Sequence, residues 1–467
     1  MNVSVGGRRM REQAGDGWLE PVHPEPHTDQ QSQLAIIWSA RRDMLASWRA
    51  ADYAAGITDF SLLGRRMVIV NTPDGVRQVL GAGGDLYERK SPQMRRALEF
   101  LLGDGLFISD GETWSRRRPL VAEIVGKARV PGFAPLMAQA AQDMVEDWAV
   151  RDLSGPVDVL TEMGVLTAEI ISRTLFGVQL GRADAQAVIE GFAAYQRRID
   201  AFNVGYLLGF DDGLPVFKTL ALRRAVKRIH AVVEKVVEAH LAGQGDHTIM
   251  LDMLELRRRR RPDAPVGRDA LRDEAATLFM AGHETTAATL AWAWHCLSKA
   301  PWAEAALHAE IDLVCGGRPP AYGDVPKLAY ARAVVEETLR LYPPVAILAR
   351  QAARRDRIGD VEVDPAAVVL ISPWLLHRSP DLWDHPDRFM PERFMGEERP
   401  DAYAYIPFAA GPRTCPGMNF GLTEATLCLA TLAQKFRLRP APGWSVETEC
   451  RLTLRPRGGL PMMIEPR

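Results

Sequence analysis

The sequence predicts a mainly α chain with a small β-rich region. Three observations carry this. From about Asp110 to Leu241 apolar residues recur at helical spacing, as in APLMAQAAQDMVEDWAV and ALRRAVKRIHAVVEKVVEAHLA. One unusually long helix is expected from Asp269, an N-cap type, to Lys299, with Pro301 as its stop. The last hundred residues mix short strand-like runs, AAVVLISPW and RLTLRP, with Pro-rich loops.

Taken in order, residues 1–30 are polar and rich in Pro and Gly, and are expected to be a flexible N-terminal segment. They lack the apolar stretch of a signal peptide or anchor. LAIIWSARRDMLASWRAA reads as a helix and RRMVIVNTP as a strand ended by Asn-Thr-Pro. Residues 31–467 are expected to form a single domain. The run Arg257–Arg261 reads as a solvated helix end before Pro262, with a partner site as the alternative. The long helix would span about 45 Å at 1.5 Å per residue. Its middle reads AGHETT, Ala281 to Thr286. A mid-helix Gly costs about 1 kcal/mol relative to Ala. A carboxylate and weak helix formers at the centre of an apolar helix break local consistency, as functional sites do.

Composition excludes several classes. The chain is 47% hydrophobic and 25% charged with net charge −2, which argues against a nucleic-acid binder. Five cysteines without CxxC or Cys/His zinc spacing argue against a disulfide framework and for a cytoplasmic setting. No stretch of about 20 apolar residues occurs, so no spanning helix is expected. GAGG at Gly81–Gly84 fails the dinucleotide pattern GxGxxG, so no nicotinamide or flavin site is expected.

Cys415 is the unusual cysteine. It lies in FAAGPRTCPGMNF, residues 408–420, among glycines and just before a run of helical spacing. A helix N-terminus favours a thiolate. Such a thiolate could be a nucleophile, a redox thiol or a metal ligand. No histidine lies in the loop to serve as a base, whereas a single thiolate can ligate haem iron. EETLRLYPP places Glu337 and Arg340 at i, i+3 among apolar neighbours. PERF offers Arg393 as a further partner, and GETWSRRRP places Trp114 and Arg118 one helical turn apart.

These residues together carry a resemblance. FAAGPRTCPG resembles the haem-binding loop of the cytochrome P450 family, F-x-x-G-x-R-x-C-x-G, at Phe408, Gly411, Arg413, Cys415 and Gly417. AGHETT resembles the family's oxygen-binding groove, ETLR its ExxR motif, PERF its partner arginine segment and WSRRR its haem-contacting W-x-x-x-R. The motifs follow the family's order. One departure is RPLVAEIVG after Arg118, where the family often carries a phenylalanine.

The resemblance implies the cytochrome P450 fold and haem b (iron protoporphyrin IX), with Cys415 as the metal ligand. Arg413, Trp114 and Arg118 would face the propionates, with Arg350 as a further candidate. Glu337, Arg340 and Arg393 would form a structural network behind the haem. Gly282 would leave room for O2, while Glu284 and Thr285 would serve catalysis by delivering protons. Ala281, Gly282, Val345, Ala346, Ile347, Leu452 and Thr453 would line a pocket for a hydrophobic small molecule. RLYPP, PERF and LRPRGGLP look more like the fatty-acid and carotenoid hydroxylating branch than the camphor branch. The implied reaction inserts one oxygen atom from O2 by C–H hydroxylation or epoxidation. Electrons would come from NAD(P)H only indirectly, through a ferredoxin or flavodoxin docking near basic Arg116, Arg117 and Lys435. The rivals are a haem-thiolate peroxygenase or peroxide isomerase, and a haem-based sensor or electron carrier.

Overall fold

The computed structural model describes residues 3–5, 8–29, 31–82, 85–199, 207–208, 219–242 and 268–467. The arginine run 257–261 and the last two glycines of GAGG lie outside them.

Eleven helices of ten or more residues are described. They are α1 Gln33–Arg42, α2 Pro92–Leu102, α3 Gly111–Ile124, α4 Val130–Val150, α5 Val159–Ile171 and α6 Arg182–Arg198. The rest are α7 Leu220–Leu241, α8 Arg268–Lys299, α9 Pro301–Cys315, α10 Ala329–Leu341 and α11 Met418–Ala433. The long central helix α8 matches its expected bounds within a residue. Pro301 both stops it and opens α9, where its missing N–H is harmless. The helix expected from LAIIWSARRDMLASWRAA is shorter than its pattern. Asp43 turns extended and its side chain caps the next short turn by accepting from Leu45 N at 2.9 Å.

The strands form small sheets. β1 Val3–Val5, β2 Arg8–Gly15 and β3 Trp18–Pro24 make an antiparallel N-terminal sheet. β4 Ile57–Leu62 and β5 Arg65–Val70 join β7 Leu348–Gln351 and β10 Val368–Ile371 in the order β4-β5-β10-β7, with β6 Val157–Asp158, β8 Asp356–Ile358 and β9 Val361–Val363 elsewhere. β10 runs parallel to β5 and antiparallel to β7. β11 Phe436–Pro440 and β14 Pro461–Pro466 pair with β6, and β12 Thr448–Cys450 pairs with β13 Leu454–Pro456 as a hairpin.

The N-terminal sheet differs from the flexible segment expected for residues 1–30. Asp16-Gly17 forms its turn, with Gly17 at φ 79°. Leu19 and Val22 are buried in the main core. Glu12 on β2 meets His295 at 3.3 Å and Lys299 at 3.4 Å, both on α8. Polar and Pro-rich composition concealed a sheet that docks Met10, Leu19 and Val22 into the core.

One hydrophobic cluster runs from Met10 to Ile464, with α8 at its centre. α8 packs along α5 on one side and touches α10 and α11 on another. The same helix therefore reaches both the segment that opens with Cys415 and the helix that holds Glu337 and Arg340.

Candidate active site

The loop before α11 is shaped by its backbone. Phe408 O accepts from Cys415 N at 2.8 Å, which closes the loop. Gly411 stands at φ 68°, and a Cβ there would lie 1.8 Å from the Leu80 carbonyl oxygen. Only glycine fits this approach. Its requirement thus comes from the close approach of Leu80 and Gly81. Cys415 lies three residues before α11. Its side chain is accessible, yet its surroundings are dense enough that burial pushes the thiol pKa up. The Gly417 N–H and the Arg118 charge oppose that rise. A coordinated metal would keep such a thiol ionised. Cys428, by contrast, is fully buried on α11.

A group of cations gathers beside this loop. Arg413 lies over the Trp114 ring at 4.4 Å and donates to Ser109 O and Asp110, each at 3.1 Å. Arg118 donates to the Thr414 carbonyl. Arg350, on β7, is buried and its pKa is lowered to about 10, by burial and then by Arg413. Lys90 is also buried, and its pKa is pushed down by burial, Arg350 and Arg413, with Asp110 opposing. The four cations Lys90, Arg118, Arg350 and Arg413 thus share few carboxylates, chiefly Asp110. A surplus of buried positive charge is a receptor for anionic groups. The two carboxylates of a haem would fit it. Lys90 was missed in the sequence because YERKSP carries no pattern. The bridge between Lys90 and Arg350, together with the Lys90 N–H that donates to Asp110 Oδ1 at 3.3 Å, brings it to the site.

Ala281 is exposed in the middle of α8, although Met280, His283 and Glu284 around it are buried. This exposure marks a gap at the centre of the helix. Gly282, next to it, is partly exposed. A Cβ there would lie 2.3 Å from Ile171 Cδ1 on α5, so the missing side chain makes room for helix packing. A side chain at Gly282 would therefore be opposed by Ile171, whatever role the residue has beside O2. Thr285 is partly exposed and its hydroxyl donates to the Ala281 carbonyl at 2.9 Å.

Glu284 is buried. Its Oε1 accepts from Thr453 Oγ1 at 2.9 Å and from Gln196 Nε2 at 3.1 Å. Gln196 comes from α6 and has no sequence signal. Leu452 and Thr453 sit in the β12–β13 turn, beside the segment at Val345–Ile347, because Leu454 N donates to Pro344 O at 2.9 Å. Val345, Ile347 and Leu452 are half-buried. Ala346 is 2% exposed, and its carbonyl accepts from Ser372 Oγ at 3.0 Å. The pocket-lining expectation for Ala346 is therefore corrected: its side chain joins the core.

The ExxR pair is buried as expected. Glu337 and Arg340 have no exposed side-chain surface, and two 2.7 Å hydrogen bonds join them. Arg340 also donates to the carbonyls of His377, Pro386 and Arg388. Arg393 lies 3.5 Å from Glu337. His377 links this network to the cysteine loop. Its Nδ1 meets Arg340 O at 3.2 Å, and its Nε2 accepts from Ile406 N at 2.9 Å. Of the three docking cations, Arg117 is corrected: it is largely buried, ion-paired to Glu274 at 3.1 Å. Arg116 is exposed and paired with Glu112, and Lys435 is exposed.

An accessible thiol before α11, a surplus of cations beside it and an exposed alanine in the middle of α8 fit a haem-thiolate protein. The sequence profile of the cytochrome P450 family matches residues 34–460, and the chain belongs to that family. It is similar to cyclooctatin synthase of Streptomyces melanosporofaciens, 36% identical over 405 residues, covering 85% of each chain. It is also similar to cyclooctat-9-en-7-ol 5-monooxygenase of the same organism, 32% identical over 79% of each chain. A plant relative, LUTEIN DEFICIENT 5 of Arabidopsis thaliana, is 28% identical over 81% of this chain and 66% of its own. The protein is an oxidoreductase of the monooxygenase type that uses haem iron and O2. No described helix is long and apolar enough to cross a membrane.

Proposed function

We propose that residues 31–467 act as one catalytic domain that oxygenates a hydrophobic small molecule by C–H hydroxylation or epoxidation, in the cytoplasm. Electrons come from a separate ferredoxin or flavodoxin, reached through exposed cations such as Arg116 and Lys435. When bound, haem b supplies the iron that activates O2. Cys415 would hold its iron through Sγ. Arg413, Arg118, Arg350 and Lys90 would neutralise its carboxylates, with Trp114 stacked against Arg413. The accessible sulfur of Cys415 among groups that otherwise bury it is the observation that carries this reading.

Thr285 controls the proton at its Oγ1, which rests on the Ala281 carbonyl and can turn toward the gap. Glu284 supplies the acid–base group on the same turn. In its present geometry Oε1 is engaged by Thr453 and Gln196, so proton entry at Glu284 is coupled to the pocket wall. Val345, Ile347 and Leu452 exclude water and favour an apolar substrate, while Thr453 and Gln196 give that wall one polar spot. Cyclooctat-9-en-7-ol, for which a relative is named, is the first compound to try. Turnover with NADPH, ferredoxin reductase and ferredoxin, compared with hydrogen peroxide alone, tests the reading. Product formed only with the reductase chain supports it. Product formed only with peroxide assigns the chain to the peroxygenase class instead.

A further inference from the structure

Glu424 lies on α11 and is 0% exposed. Among the described residues no cation pairs with it. The groups that face it are Cys428 on its own helix and the hydroxyl of Thr286 on α8. Its Oε2 lies 3.2 Å from Thr286 Oγ1, and its Oε1 has no hydrogen-bond partner. An ionised carboxylate sheltered from water with one neutral donor would be strongly disfavoured; the neutral acid would not. Burial acts in the same direction and raises its pKa well above the ordinary value, with only Thr286 opposing.

Counting protons then fixes the direction of the contact. The Thr286 hydroxyl has one proton and two acceptors in reach, Glu424 Oε2 and the Gly282 carbonyl at 3.1 Å. A neutral Glu424 has a proton of its own and needs an acceptor. Both groups are satisfied if the acid donates to Thr286 and Thr286 donates to Gly282.

We propose that Glu424 is kept as a carboxylic acid whose O–H donates to Thr286 Oγ1, committing the Thr286 proton to the Gly282 carbonyl and so positioning the centre of α8. The strap ties α11, which begins three residues after Cys415, to the α8 turn that carries Thr285. Thr285 makes the matching bond to the neighbouring carbonyl, Ala281. When Thr285 turns away from Ala281 to handle a proton, the adjacent Thr286 bond holds that turn in helical geometry. Glu424 is a positioning residue because it acts through Thr286. The protonation state stands apart from the proposed function, whereas its consequence for Thr285 rests on that reading.

Infrared difference spectra of the holoenzyme test it, wild type minus Glu424→Gln, in ordinary and heavy water from about pH 6 to about pH 9. The wild type should show a protonated-carboxyl C=O band at every pH that is absent from Glu424→Gln and shifted in Thr286→Val. In the reduced CO complex, Thr286→Val should broaden the C–O stretch. Glu424→Gln, whose amide can still donate to Thr286, should leave it narrow. A band that is absent or vanishes as pH rises overturns the proposal. So does a C–O stretch indifferent to Thr286→Val. A wild-type CO complex without thiolate character would instead count against Cys415 and leave the carboxyl band in place.

Discussion

Replacing Arg340 with alanine removes the most heavily used side chain behind the site. Its guanidinium makes two 2.7 Å bonds to Glu337 and reaches the carbonyls of His377 at 2.8 Å, Pro386 at 2.6 Å and Arg388 at 2.8 Å. It also lies 5.1 Å from the Trp383 ring centre. After the substitution, Glu337 keeps only the Met390 N–H at 2.8 Å and Arg393 at 3.5 Å. Breaking a buried pair on one side costs about 3–5 kcal/mol. A buried carbonyl left without a donor costs about 1–3 kcal/mol. At the lower ends, the pair and three carbonyls reach about 6 kcal/mol, within the range of a whole domain's stability. Arg340→Ala should therefore yield little or no soluble haem protein. Arg340→Lys, which keeps a charge but cannot reach three loops at once, should fall between. Expression, haem content per chain and urea unfolding measure this. A haem-replete Arg340→Ala protein with an unchanged urea midpoint would refute the reasoning.

Three further outcomes are expected. Thr285→Ala should keep haem and substrate affinity but divert reducing equivalents to peroxide, read as product formed per NADPH; unchanged coupling would count against its role. Gly282→Ala should destabilise the protein by about 1–3 kcal/mol through overpacking against Ile171. Ile171→Val, which removes the Cδ1 atom at 2.3 Å, should recover part of the loss in a double-mutant cycle, and additive effects would contradict the packing account. His377 has its pKa lowered from 6.5 to about 3 by burial and by the Arg340 charge. A base with a depressed folded pKa contributes stability that is complete above pH 6.5 and is lost as pH falls toward 3, at about 1.4 kcal/mol per unit. Urea midpoints of wild type should thus fall more steeply with acid than those of His377→Gln, and parallel slopes would be the contrary result.

Motifs with fixed spacing were legible in the sequence because their chemistry constrains neighbours along the chain. Cys415 with its glycines, the Glu337–Arg340 pair and the breaks in α8 are of this kind. Contacts made across elements were not. Lys90 and Gln196 reach the site through a β-bridge and a helix from distant parts of the chain, and neither has a local signal. Gly282 shows the limit of reading a residue by its motif. Its position was legible, but the reason for glycine lies in Ile171, more than a hundred residues earlier. The N-terminal sheet was hidden for the opposite reason, since its composition resembles a flexible tail while Leu19, Val22 and Glu12 each find a specific partner surface. Arg117 looked like a surface cation because its pairing with Glu274 spans 157 positions.

The most direct test of the account is the absorption spectrum of the reduced, CO-bound protein. With Cys415 as a thiolate ligand, the Soret band should be strongly red-shifted, and Cys415→His should move it to the position seen in histidine-ligated globins. A wild-type band already at the globin position, or a red-shifted band that survives Cys415→His, would contradict the assignment.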